Sequence, residues 1–222
     1  MSRPKIHHYV PQSVLRYFSI DGAGKQVWVY DKETGSSRTE GISTAGGEKY
    51  FNQVVIDGKG VDFEGIFDSV DGALPGMLAT IISTESVTTL DEPARDALAL
   101  LAAIQFLRVK IIRESAQAVA NQLRETLHQA GMSEFAESIP DATENDGRKA
   151  GLALLADARK HAAHLRDKEL TLYKAPSGLS FWTSDAPVVM ANHVPFGDRG
   201  LAARGVEIIW PISPEYVLSF RC

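Results

Sequence analysis

Three short stretches hold the residues best suited to chemistry. The first, Lys5-Ile6-His7-His8-Tyr9-Val10-Pro11-Gln12, continues to Arg16. An imidazole can serve as a metal ligand, a general base or a phosphate partner. Gln12 and Arg16 are four residues apart and share a face if Pro11 opens a helix. Adjacent histidines point apart in an extended chain, so at most one of His7 and His8 faces a common site. The bland alternative is a pair of N-terminal surface residues.

The second stretch is Leu98-Ala99-Leu100-Leu101-Ala102-Ala103-Ile104-Gln105-Phe106-Leu107-Arg108 and the apolar residues after it. Gln105 and Arg108 lie three apart on one helical face and interrupt an apolar run. An unpaired amide or guanidinium in such a place is costly, so both must meet partners. Those partners are a ligand or, equally well, a carboxylate and a loop carbonyl. The third stretch is Phe181-Trp182-Thr183-Ser184-Asp185-Ala186-Pro187. A carboxylate where a strand ends is well set for a pocket, and an Asx-type turn capping its own backbone explains it too.

Other candidates are weaker. His161 and His164 suit a metal by spacing, but they sit on an Ala-rich solvated helix without an HExxH pattern. Glu64 and Asp68 form a carboxylate pair on a helix that Phe63 and Phe67 mark as mainly packing. His193, Asp198 and Arg199 occupy a loop that could close over a site. No Walker loop, GxSxG or GxGxxG is present, which removes the matching ATPase, hydrolase-fold and Rossmann readings.

The elements that must position these groups follow from periodicity. A short helix runs through Val14, Leu15 and Phe18. Gln26–Tyr30 and Ser37–Ile42 read as a β-hairpin, Gly46-Gly47 breaks the chain, and Lys49–Ile56 is extended. Phe63, Ile66, Phe67, Val70 and Leu74 recur at helical spacing, with Pro75-Gly76 expected to kink or split that helix. Asp91 and Pro93 start one long helix reaching Gln129, its first half buried. A short helix at Ser133–Ile139 and an Ala-rich one over Arg148–Lys168 follow. Strands are expected at Leu170–Lys174, Leu179–Thr183, Val188–Ala191, Val206–Ile209 and Tyr216–Phe220. The order implies an α+β fold, with an antiparallel sheet built from the N-terminal hairpin and the C-terminal strands. That sheet packs on a central helical region with one long buried helix.

The 222 residues, 44% hydrophobic, read as one domain over 1–222. The stop at Ser219-Phe220-Arg221-Cys222, within a strand, suggests a parent that continues. A net charge of -5 argues against a broad nucleic-acid footprint, although a local basic pocket stays open. The single cysteine, Cys222, excludes an internal disulfide and a Cys-based zinc site. The N-terminus lacks a signal core, and no uncharged apolar run approaches a membrane span, so the expected address is the cytoplasm.

HHYVPQSVLRYF, VWVYDKETG, IQFLR and FWTSDAPVV, in this order, resemble the bacterial family called domain of unknown function 4238. The resemblance covers about residues 5 to 220. The matching positions are His7, His8, Tyr9, Pro11, Gln12, Leu15, Arg16, Phe18, Gln105, Arg108, Ser184, Asp185 and Pro187. Tyr17 and Ala186 stand where the family often has Asn. The resemblance implies that the three stretches meet in space; it implies no activity.

Two readings remain. In the first the protein is a hydrolase of a phosphodiester or nucleotide, nuclease-like, of a toxin or phage-defence kind. His8 and Asp185, with Glu64, would hold a divalent metal ion or act as an acid–base pair. His7, Gln12, Arg16, Gln105, Arg108 and Ser184 would hold the substrate. In the second the same residues recognise a small anionic ligand without chemistry, or form a buried hydrogen-bond network. Small anions and nucleic acid are the partners considered, and a membrane is not.

Overall fold

The computed structural model describes residues 5–20, 22–141, 143–192, 194 and 200–222, with only the backbone at 116 and 117. The loop of His193, Asp198 and Arg199 lies outside the described residues.

The chain opens with β1 (Ile6–His8) and α1 (Gln12–Tyr17). Pro11 supplies φ -58 at the helix entry, as expected of its ring. The hairpin β2 (Gln26–Asp31) and β3 (Ser36–Gly41) follows, then β4 (Gly47–Lys49). β1 pairs with β4 in antiparallel fashion, His7 opposite Glu48 and His8 opposite Gly47. The Gly46-Gly47 pair is a seat for the N-terminus. A Cβ on Gly46 would lie 2.8 Å from Val10 Cβ, and one on Gly47 would lie 3.1 Å from the His7 carbonyl oxygen. The Tyr9 and Val10 amides both donate to the Gly46 carbonyl.

The extended stretch expected over Lys49–Ile56 is two strands. Tyr50, at φ 55, turns the chain between β4 and β5 (Gln53–Ile56), and Asp57-Gly58 turns it again into β6 (Lys59–Asp62). A 3-10 turn at Glu64–Phe67 leads into α2 (Asp68–Thr84), which runs unbroken through Pro75. Pro75 is on the exposed side, so its ring meets solvent, and the helix loses one hydrogen bond without splitting. By length and composition Glu64–Thr84 is a candidate membrane span, yet its Leu74, Leu78 and Ile81 belong to the protein core.

The long helix expected over Ala94–Gln129 is two: α3 (Glu92–Leu107) and α4 (Lys110–Gln129). Asp91 caps α3 through the Ala94 amide. The break falls at Arg108 and Val109, where Val109 takes ψ 158 and both side chains are buried. Periodicity cannot register such a break, because apolar spacing continues across it. The buried helix is α3. The longer α4 is amphipathic, with Val119 and Leu123 exposed. After α5 (Ser133–Ser138), the helix expected over Arg148–Lys168 is also two, α6 (Glu144–Ala156) and α7 (Ala158–Arg166), joined at Asp157.

β7 (Glu169–Lys174), β8 (Val189–Asn192), β9 (Val206–Pro211) and β10 (Tyr216–Arg221) form one antiparallel sheet in the order β7-β10-β9-β8. No strand forms over Leu179–Thr183. The α+β class holds, but the sheet is not the expected shared one. Among the described residues, β2–β3 pair only with each other, and the C-terminal strands close their own sheet. Leu98, Leu101 and Ala102 of α3 pack with Ile208, Trp210, Leu218 and Phe220 of that sheet in the main core, while Val10, Leu15, Val27, Ile42 and Ala45 make a smaller core under the hairpin.

Candidate functional site

β1 ends at His8, and the Tyr9 carbonyl beyond it has no strand partner. Two side chains from α3 supply donors. Gln105 Nε2 lies 2.9 Å and Arg108 Nε 3.1 Å from that oxygen. Both side chains are buried, at 2% and 1% exposure. A second Arg108 nitrogen bonds Asp71 Oδ1 at 2.8 Å, and the guanidinium carbon stands 5.3 Å from the Phe67 ring centre. Burial lowers the Arg108 pKa, and the charges of Asp71 and Glu64 oppose that shift. The interruptions in the apolar helix thus hold the N-terminal segment onto the core.

His7 faces inward. Its Nδ1 accepts from the Asn52 amide at 3.0 Å and lies 3.8 Å from Glu64 Oε2. An accepting Nδ1 puts the ring proton on Nε2. Asn52 Nδ2 donates to Glu64 Oε2, and Arg113 of α4 donates to Asn52 Oδ1 and to the Phe51 carbonyl. Burial, then the neighbouring Arg148, pulls the Arg113 pKa down to about 10. His7 is a buried member of this network, away from solvent.

His8 points the opposite way, as strand alternation requires. With Ile6 it lines a cleft of about 610 Å³. α1 adds Gln12, Ser13 and Arg16, and α2 with its preceding 3-10 turn adds Glu64, Asp71 and Pro75; Lys5, also in the lining, is exposed. His8 Nε2 and Ser13 Oγ are buried atoms without a hydrogen-bond partner. Burial lowers the His8 pKa below 6.5, while Glu64 and the Ile42 and Ser43 carbonyls oppose the shift. His8 is therefore neutral at pH 7, with an unused ring nitrogen.

The third stretch does not line this cleft. Ser184 and Asp185 are exposed. Ser184 Oγ donates to the Ala186 carbonyl at 2.9 Å and accepts from the Ala186 amide, so the turn is closed by Ser184 and not by Asp185. Asp185 acts on the site by charge: after burial, it is the next cause of the raised Tyr9 hydroxyl pKa. The first two stretches meet at the Tyr9 carbonyl, whereas the cleft gathers His8, Gln12, Arg16 and Glu64 of the expected residues. Among the described residues, no three of His, Cys, Asp and Glu come together to hold a metal ion.

Asp71, Asn52, Arg113 and Ser13 lie outside the residues the sequence singles out, and Lys5 heads the first stretch without an expected role. Asp71 carried a signal. Phe67, Leu74, Leu78 and Ile81 are the buried row of this helix, and Asp71 sits in that row, four after Phe67. A carboxylate there requires a cation, which is Arg108. Asp68, the expected partner of Glu64, is exposed instead.

This is an α+β protein with a small polar cleft beside an N-terminal segment pinned by buried arginine and glutamine. The chain belongs to the family described as protein of unknown function (DUF4238), whose model matches residues 6–222. Comparison with curated proteins and with solved structures gives no match.

Proposed function

We propose that the cleft binds a small anionic ligand, with Arg16 and Lys5 supplying charge and Gln12, Ser13 and His8 supplying hydrogen bonds. The observation that carries this reading is the pair of buried, unpartnered polar atoms, His8 Nε2 and Ser13 Oγ, in one cleft of ligand size. A buried polar group without a partner is destabilising unless something satisfies it. Arg16 is exposed and has no ion-pair partner among the described residues, so its guanidinium is free for a phosphate or carboxylate. His7, Gln105 and Arg108 are engaged with the protein's own backbone and side chains, and in this reading they are positioning residues.

The test is a thermal-shift titration of the full chain with inorganic phosphate. The midpoint rises with phosphate if the folded state binds it. Arg16→Ala, on the surface, keeps the fold and loses the shift. A wild-type midpoint that phosphate does not move sinks the reading.

Hydrolysis is a second reading, favoured by one feature. His8 is neutral and adjacent to the charge of Glu64, as a general base should be. Its substrate would be a phosphodiester or nucleotide. Turnover of a chromogenic phosphodiester, lost in His8→Gln, supports it; equal turnover by the variant rejects it.

A further inference from the structure

We infer that the ligand of this cleft is a phosphorylated sugar, free or within a nucleotide, with its phosphate at Arg16 and Lys5 and its hydroxyls at Glu64 and Asp71. The inference rests on the anion-binding reading above and adds the class of ligand.

The wall of the cleft carries opposite charges at different places. Arg16 and Lys5 line it and are exposed. Glu64 and Asp71 are partly buried, their side chains 20% and 34% exposed, with Arg108 bonded to Asp71 from behind. A bare phosphate satisfies the cations but brings nothing to the carboxylates. Each carboxylate has one committed oxygen, Asp71 Oδ1 to Arg108 and Glu64 Oε2 to Asn52. The other oxygen of each has no hydrogen bond among the described residues. Pro75, in the same wall, has no N–H, so the helix leaves the Asp71 carbonyl without its usual donor four residues on. This end of the cleft is therefore short of donors.

The donors must come without a full positive charge. Two cations, Lys5 and Arg16, and two carboxylates, Glu64 and Asp71, line the cleft, and Arg108 behind the wall offsets Asp71, which leaves a surplus of one positive charge. A zwitterion would leave that surplus unmatched. An anion bearing neutral hydroxyls meets both demands, because a carboxylate takes a vicinal diol as an acceptor takes any pair of donors. Ile6, Pro11 and Pro75 give apolar walls for the carbon face of a ring. Among the described residues no Phe, Tyr or Trp lines the cleft, so apart from the single His8 ring it offers no platform on which successive bases of a nucleic acid would stack.

Calorimetric titration of the full chain with ribose 5-phosphate, inorganic phosphate, ribose and AMP tests this. Ribose 5-phosphate should bind at least about tenfold tighter than inorganic phosphate, the scale of one hydrogen bond to a charged group. Ribose alone should bind far more weakly than either. Glu64→Gln should lose about tenfold for ribose 5-phosphate and none for inorganic phosphate. AMP tighter than ribose 5-phosphate assigns the sugar to a nucleotide, and AMP weaker assigns it to a free sugar phosphate. Inorganic phosphate as tight as ribose 5-phosphate overturns the inference and leaves the anion site standing. Absence of all binding overturns both. Should Glu64→Gln fail to fold, the exposed Arg16→Ala tests the phosphate end, and the wild-type comparison still decides the sugar.

Discussion

Gln105 and Arg108 share one acceptor, the Tyr9 carbonyl, and this predicts how their substitutions combine. Gln105→Leu removes one donor but leaves Arg108 on the oxygen. It also removes Gln105 Oε1, which is buried without a partner. The two effects oppose, so the single change should fall within about 1 kcal/mol of neutral. Arg108→Met keeps much of the buried volume but leaves Asp71 without its cation. The Asp71 side chain is 34% exposed and can turn to water, so the loss should be about 2 kcal/mol, below that of a fully buried broken pair. In either single variant the carbonyl keeps a donor. In the double variant it has none, and an orphaned buried carbonyl adds about 1–3 kcal/mol. The double variant should therefore be less stable than the sum of the singles by that amount. Urea unfolding of the four proteins measures it, provided the denaturant slope stays constant. Additivity within about 0.5 kcal/mol would refute the shared-acceptor account and mean that water or another donor serves Tyr9.

Three further outcomes are expected. Because the folded-state pKa of His8 is lowered, the unfolded chain takes up a proton first as pH falls; the stability due to neutral His8 is full above 6.5 and is lost as pH falls through the lowered value, so His8→Asn should flatten the melting midpoint below pH 6.5. Gly147→Ala places a Cβ 2.5 Å from the Arg113 carbonyl oxygen, pushing α6 off α4, and should lower stability by about 1–3 kcal/mol in thermal or urea melts. Gly72→Ala, in α2 with open space at its Cβ, should raise stability by about 0.5–1 kcal/mol in the same melts, and a loss there would contradict the helix as described.

Much of the secondary structure was legible because its signals are local. Pro11, the Trp28–Tyr30 alternation and the Asp91 cap each act within a few residues. The break after Leu107 was not legible, since it answers to a carbonyl at Tyr9 and a carboxylate at Asp71, both distant in sequence. The same reason hides the separation of the hairpin from the C-terminal sheet: strand alternation says which face is buried, not which strand lies alongside. Of the site, the polar breaks at Gln105 and Arg108 were rightly expected to meet partners. Whether those partners were ligand or protein depended on where Tyr9 falls. Asp71 was within reach of a closer reading of the row from Phe67 to Ile81.

The pinning of Tyr9 also sets an order of events at the ribosome. Its carbonyl waits for Arg108, 99 residues later in the chain. At about 5–20 residues per second, that delay is on the order of 5–20 s. In that interval the β2–β3 hairpin and the β5–β6 pair can form from neighbouring sequence, while β1 has only a three-residue ladder to β4. The cleft is therefore not completed until the end of α3 has been made, although its lining residues all lie at or before Pro75. A nascent chain held short of Arg108 would carry His8, Gln12 and Arg16 without the geometry that unites them.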